Sequence, residues 1–281
     1  MTERKPGAWL KGQRPTTNYM NHGFNLEEAK KDITPEDFSL GGGKVYEDVL
    51  VEDGNWFPYL PTHELQNKNN LETMNCVAYG TQNCLELLMC RKFGECGLDY
   101  SERYTGILAE TTPQGNTPNK VAQTIRHNGV ILESALPFSE EINTWEEYYA
   151  PKPMTGGYTW AGEGWLKKHT FFHEWLTPSK EELIKALKYS PVGVSVEAWK
   201  ARNGLYYSDG APNHWVALIG YEEGRFWWVE DQYEPFVKKL EWDYPFQMAK
   251  VYFVEETKEV KKTLFQRFWE GLKGYFREIF K

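Results

Sequence analysis

Three residues of this chain have the types and surroundings that covalent chemistry needs: Cys76, His214 and Asp231. A thiol becomes a useful nucleophile when a helix N-terminus and a nearby imidazolium favour its thiolate. Cys76 stands in Thr73-Met74-Asn75-Cys76-Val77-Ala78-Tyr79-Gly80, at the foot of a stretch that reads as a long buried helix from about Asn75 to Phe93, ended by Gly94 and Gly97. Such a thiol needs a base within hydrogen-bond reach, and the base needs an orienter on its other ring nitrogen. Of six histidines, His22 and His63 lie in irregular segments, His127 on a helix, and His169 and His173 in an aromatic stretch, whereas His214 opens a strand. A turn at Glu222-Glu223-Gly224-Arg225 folds Phe226–Asp231 back on His214–Tyr221, which brings Asp231 within a rung or two of His214. A carboxylate there accepts from one imidazole nitrogen and leaves the other for a thiol. Taken singly, a strand histidine and a strand-ending aspartate are ordinary features. Their conjunction with a helix-foot cysteine carries the reading.

The elements that must position these residues follow from periodicity. Residues 1–45 lack clear periodicity and close with Gly41-Gly42-Gly43, followed by a strand-like Val45–Val51. Trp56-Phe57-Pro58-Tyr59-Leu60-Pro61 is too aromatic and proline-rich for a helix and is expected to run extended over the core, leading to Gln66. A second helix carries its own punctuation, with Thr117 as N-cap, Pro118 in the first helical position, Val121 and Ile125 on one face and Gly129 past its end. Ser179-Lys180-Glu181-Glu182 announces a third helix as a capping box, with Leu183, Ile184 and Leu187 facing inward. After Pro191 the period changes to two, and strands are expected at Val192–Val196, His214–Tyr221, Phe226–Asp231 and Lys250–Val254. A helical half thus precedes a β-rich half, which is an α+β plan with a cleft between two lobes.

Composition bounds the partners. With 281 residues and 41% hydrophobic content the chain can bury a sizeable core, and a net charge of −8 excludes the basic footprint of a nucleic-acid binder. Residues 1–25 contain no apolar run, so neither a signal peptide nor a transmembrane span is expected, and the chain is placed in the cytoplasm, or in a virion if of phage origin. None of the four cysteines forms a Cys-x-x-Cys pair, so Cys84, Cys90 and Cys96 read as reduced, packed thiols. His169 and His173 have the i, i+4 spacing of metal ligands on a helix, but with no third ligand the packing of an aromatic loop is preferred and no metal or other cofactor is expected. Glu140, Glu141, Glu146 and Glu147 read as solvated faces. From Glu259 to Lys281 the residues Val260, Leu264, Phe265, Phe268, Trp269, Leu272, Phe276, Ile279 and Phe280 keep a helical period with basic residues largely elsewhere. That segment reads as a basic amphipathic helix which docks on its own domain, binds a partner protein or lies on a membrane surface.

Several motifs occur here in an order that resembles the papain-like cysteine peptidases over about residues 56–255. The Cys76 helix is followed by Ser101-Glu102-Arg103-Tyr104, Ile125-Arg126-His127-Asn128-Gly129-Val130 and Leu136-Pro137-Phe138. Then come Pro191-Val192-Gly193-Val194-Ser195-Val196, Asn203-Gly204-Leu205-Tyr206, Asn213-His214-Trp215-Val216-Ala217-Leu218-Ile219-Gly220-Tyr221 and Phe226-Trp227-Trp228-Val229-Glu230-Asp231. The resemblance implies a helical left lobe, a β-barrel-like right lobe and an active-site cleft between them. It implies hydrolysis of a polypeptide through a Cys76 thioester, with His214 as base and then acid and Asp231 as orienter. Gln66 would join the backbone N–H of Cys76 as the oxyanion hole, Tyr233 would take the place of the family's shielding tryptophan, and Gly115, Asn116 and Asn213 would line the substrate groove with Tyr233.

The chain also departs from the family. Asp231 replaces the usual asparagine and adds a negative charge. Gln66 lies farther ahead of Cys76 than is usual, so that Asn67–Asn75 must bulge or Asn69 or Asn70 must serve. The usual Gly-Ser-Cys-Trp becomes Met-Asn-Cys-Val, and the disulfides of secreted members have no evident counterpart, as a reducing setting would allow. Residues 1–55 are an N-terminal extension, either a propeptide or a structural arm, and residues 256–281 hold the amphipathic helix. Other readings of the same residues are a catalytically idle binding or structural module, a cell-wall thiol amidase, and a leader-peptide peptidase of the kind that trims double-glycine leaders.

Overall fold

Helix α2 (Cys76–Phe93) is buried along most of its length, Cys76–Gln82 and Cys84–Cys90 included, because its residues are apolar or small nearly all round. A helix with no polar face must lie inside the domain. The structure, a computed structural model, describes residues 22–33, 48–154 and 156–257. Ahead of α2 come α1 (Leu26–Lys31) and a small hairpin of β1 (Asn67–Lys68) and β2 (Leu71–Glu72). After it come α3 (Glu102–Leu108), α4 (Pro118–Asn128), α5 (Trp145–Tyr148) and α6 (Gly156–Leu166), then β3 (His169–Leu176), α7 (Lys180–Leu187) and β4 (Val192–Val196). The chain continues as β5 (Lys200–Arg202), β6 (Leu205–Tyr207), β7 (His214–Glu222), β8 (Phe226–Glu230), β9 (Val237–Glu241) and β10 (Ala249–Glu256).

The sheet has eight strands in the order β3-β10-β4-β7-β8-β9-β6-β5, and α2 packs on β7, β4 and β10. One apolar core runs through both halves, from Val77, Leu85 and Leu88 of α2 to Val194, Trp215 and Val251 of the sheet. A second cluster, around Tyr104, Ile131, Phe138 and Tyr148, fills the helical side. The α+β plan with helices before sheet is therefore present. The barrel-like right lobe becomes an open sheet, since its outermost strands β3 and β5 are not paired with each other among the described residues.

Local signals explain most helix ends. Thr117 accepts from Lys120 N at the head of α4, Ser179 accepts from Glu182 N at the head of α7, and Gly94 ends α2 in a left-handed conformation at φ 72°. Other expectations are corrected. Phe57–Tyr59 forms a 3-10 turn, because Pro58 fits the first turn of a helix as well as it fits an extended run. Residues 48–51 form no strand; Leu50 N and Val51 N both donate to Lys188 O. His169 and His173 lie on strand β3, where the pairing with β10 over eight rungs overrides the loop reading.

Cys90 and Cys96 are not reduced thiols. The left-handed turn at Gly94 brings the chain back on itself, and the two form a disulfide with a Cα–Cα distance of 4.1 Å. Cys84 is a free, buried thiol as expected. The amphipathic segment 259–281 lies outside the described residues. Among the described residues, no helix is long and apolar enough to cross a membrane.

Candidate active site

Cys76 is the first residue of α2 and is fully buried. Burial pushes its thiol well above the ordinary range, against hydrogen bonds from the backbone N–H groups of Trp215 and Val77, while the charges of Glu72 and Asp231 push it further up. Trp215 follows His214 on β7, so one strand carries both the sulfur's donor and the imidazole.

His214 is 0% exposed, and its Nε2 lies 2.5 Å from Asp231 Oδ1. The register Ala217↔Glu230 of the β7–β8 pair places Asp231 one residue beyond the end of β8, as the hairpin predicts. The other ring nitrogen, Nδ1, has no hydrogen-bond partner among the described residues. Asp231 Oδ2 accepts from Lys238 Nζ at 2.5 Å, inside a pocket where both side chains are fully buried. Burial alone would raise the Asp231 carboxyl; Lys238 and His214 outweigh it and hold the group at about 2. An ionised carboxylate can only accept, so Nε2 carries a proton and the Nδ1 lone pair is the one left over when the ring is neutral.

Gln66 enters the site on the β1–β2 hairpin, which is the bulge that its distance from Cys76 requires. Asn69 and Asn70 make the turn of that hairpin with φ of 56° and 64°, and the Asn69 amide donates to Ser139 O and Ile142 O. The Asn69 amide is thus committed elsewhere, unlike that of Gln66. Gln66 Nε2 donates to Glu72 Oε1 at 2.6 Å and to His22 O at 2.7 Å. Tyr233 donates to Glu72 Oε2 at 2.7 Å and lays its ring 5.3 Å from that of His214. Burial raises the Glu72 carboxyl to about 7 in spite of the hydrogen bonds it receives.

A stretch of the chain itself occupies the cleft. His22 N donates to Asn213 O at 3.0 Å, Gly23 O accepts from Asn116 N at 2.8 Å, and Asn25 N donates to Asn116 O at 3.0 Å. The His22 ring lies 5.4 Å from that of His214 and 5.3 Å from that of Tyr233. Burial, with His214 adding and Asp231 opposing, depresses His22 to about 3, so the ring is neutral here at physiological pH. The fit requires glycine on both sides. A Cβ on Gly23 would stand 2.1 Å from Met74 O, and one on Gly115 would stand 2.1 Å from Gly23 O.

The fold therefore brings Cys76, His214, Asp231, Gln66, Gly115, Asn116, Asn213 and Tyr233 to one cleft. Sequence reasoning missed Lys238, Glu72 and His22. Lys238 had a signal, since it shares the inward phase of β9 with buried Leu240, while Val237 and Lys239 are less buried. Among the described residues, no group of three His, Cys, Asp or Glu side chains is arranged to hold a metal ion.

No protein-family model and no curated protein matches the chain. Solved structures do. Xylellain, a cysteine protease from Xylella fastidiosa, is 13% identical with a TM-score of 0.58, over 89% of this chain and 99% of that one. The digestive procathepsin L 3 of Tenebrio molitor larval midgut is 14% identical with a TM-score of 0.55, over 83% and 76%. The Amb a 11 cysteine protease, a ragweed pollen allergen in its proform, is 16% identical with a TM-score of 0.54, over 81% and 73%. Helices packed against a large sheet, and the cleft at the foot of α2, thus give this chain the fold of the papain-like cysteine proteases.

Proposed function

We propose that the chain is a cysteine peptidase held latent by its own N-terminal segment. The observation that carries the reading is the backbone of residues 22–25, held across the Cys76–His214 region by Asn116 and Asn213, with a carbonyl on Gln66 Nε2. A cleft that takes a peptide backbone in this way is built to bind peptide. Once the segment is withdrawn, His214 Nδ1 takes the Cys76 proton and the thiolate attacks a substrate carbonyl carbon. The oxyanion is bound by Gln66 Nε2 and the backbone N–H of Cys76. His214 then gives its proton to the leaving amine as the C–N bond breaks, leaving a thioester on Cys76. Water, deprotonated by His214, attacks the thioester; the carboxylic product leaves, and the thiol is restored.

In the latent state the His22 carbonyl occupies the oxyanion position and burial keeps the thiol protonated, so the block is both steric and electrostatic. Residues 1–55 act accordingly as a prosegment, in keeping with the two similar structures described as a procathepsin and a proform. The test is turnover of a fluorogenic polypeptide, with labelling by a thiol-directed epoxide, by the full chain, Gly23→Ala and Gly23→Ala/Cys76→Ala. The expected result is little activity in the full chain, and activity with a single label on Cys76 in Gly23→Ala that Cys76→Ala removes. Absence of both turnover and label in Gly23→Ala, with the segment shown to be displaced, overturns the reading.

A further inference from the structure

Lys238 is buried on β9, whose register Val229↔Lys238 sets it beside the end of β8. An ammonium has three protons, and each has an acceptor here: Asp231 Oδ2 at 2.5 Å, Tyr233 O at 2.6 Å and Pro235 O at 2.6 Å. The cation also lies 5.1 Å from the ring centre of Trp199. With its side chain 0% exposed, it cannot reach a substrate. The carboxylate it holds has His214 Nε2 on its other oxygen, which also accepts from Gln232 N at 2.8 Å.

The geometry points to Lys238 as a positioning residue of the reaction: it cancels the charge of Asp231, so that the pair offers His214 a fixed acceptor with little net charge, as a neutral amide would. This accounts for an aspartate standing where the resembling family has asparagine, and it rests on the reading of Cys76 and His214 as the acting pair. A bare carboxylate in this pocket has two other outcomes. If it stays ionised, it binds an imidazolium so strongly that the ring gives up its proton late. If it takes a proton, it can donate to Nε2 and turn the neutral ring to the wrong tautomer. Lys238 removes both, and through Asp231 it keeps the Nδ1 lone pair for the thiol.

The test is the imidazole nitrogen shift of His214 against pH in the full chain carrying ¹⁵N-histidine, assigned by His214→Gln. The other titratable side chains whose rings face that of His214, His22 and Tyr233, are unchanged in every variant. Lys238→Met should raise the titration midpoint by about one pH unit or more, the size expected for an uncompensated neighbouring charge. Asp231→Asn, which leaves the cation alone, should lower it by a similar amount, and Asp231→Asn/Lys238→Met should return it to the unsubstituted position. Identical midpoints in all variants, or a double variant as displaced as either single one, overturn the proposal. If Lys238→Met does not fold, Asp231→Asn against the double variant decides: displacement of the first alone supports the pairing, and equal displacement of both overturns it. Alkylation of Cys76 by iodoacetamide in the Gly23→Ala background reports separately on the peptidase reading. An unreactive Cys76 beside a His214 titration that moves as described would keep the charge pairing and remove the peptidase.

Discussion

A group of buried acids in the helical half of this molecule and Asp231 beside the end of β8 are held in opposite states. On the helical side, burial pushes Glu86 of α2 and Glu102 of α3 well above the carboxylate range and Glu133 to about 7, and it raises Glu64 and Asp99 as well. Backbone N–H groups serve this cluster, with Tyr100 N on Glu86 at 2.7 Å and Phe138 N on Glu133 at 2.5 Å; Lys68 is the cation that pulls Glu64, Asp99 and Glu133 down. On the sheet side Asp231 is buried just as deeply, yet it is held at about 2. Burial is common to both groups. What differs is a cation in direct contact, so the helical cluster stores protons while the sheet cluster stores a charge pair.

The comparison breaks most sharply at Lys238. Lys238→Met strands the carboxylate and should cost about 3–5 kcal/mol, the usual penalty for removing one partner of a buried pair. Asp231→Asn/Lys238→Met should cost far less, because it removes both charges. On the helical side Glu86→Gln, which replaces a group already neutral, should be mild at pH 5. Urea unfolding of the three variants measures this, and equal losses for Lys238→Met and Glu86→Gln would contradict the assigned charge states.

Next in size is the pH dependence of stability, in which the two clusters pull in opposite directions. The raised folded-state values on the helical side contribute stability that is complete below about 4.5 and is lost as pH rises through the folded values, about 7 for Glu133. The depressed value of Asp231 contributes stability that is present above 3.8 and is lost as pH falls toward 2. The effect is on the order of 3–4 kcal/mol for Glu133 and 2–3 kcal/mol for Asp231. The melting temperature should therefore peak in mild acid, and Glu133→Gln should flatten the alkaline side alone. A peak at neutral pH or above, unmoved by Glu133→Gln, would refute the proton-storing cluster.

The same contrast explains what the sequence made legible. His214 and Asp231 could be paired because a hairpin register is local: the turn at Gly224 sets it within eighteen residues of chain. Cys76 could be placed because helix ends are local too. Lys238 was hidden, although its phase with Leu240 marks the inward face of β9, because the carboxylate that buries it, Asp231, follows the neighbouring strand β8. Glu86 was hidden among Leu85, Leu87 and Leu88, although a charge inside an apolar run signals a buried polar group. The disulfide depends on a backbone reversal at Gly94 that six residues of spacing do not announce. The docking of His22 beside His214 joins points 192 residues apart and left no local pattern at all.

That docked segment brings a proton-storing acid and an acid-sensitive base together in the cleft, and their competition is the finest test of the contrast. His22, depressed from 6.5 to about 3 when docked, binds a proton only after release, so it favours release as pH falls from 6.5 to about 3. Glu72, raised from 4.5 to about 7 beneath the segment, relaxes once water reaches it, so it favours docking as pH falls from about 7 to 4.5. Between 4.5 and 6.5 the two offset each other, and below about 4.5 His22 acts alone. The segment should therefore stay docked at pH 5 and open in stronger acid. Removing the acid by Glu72→Gln should move the onset to about 6.5 and raise the open fraction about 30-fold between pH 7.5 and 5, from the 1.5 units by which pH 5 lies below the free histidine value. Removing the base by His22→Gln should leave no acid opening. Hydrogen exchange of the segment amides of residues 22 and 25, each referred to the unstructured rate at the same pH, reads the open fraction directly. If Glu72→Gln opened at the same pH as the unsubstituted chain, Glu72 would be no counterweight, and its proton would belong to the fold rather than to the docked segment.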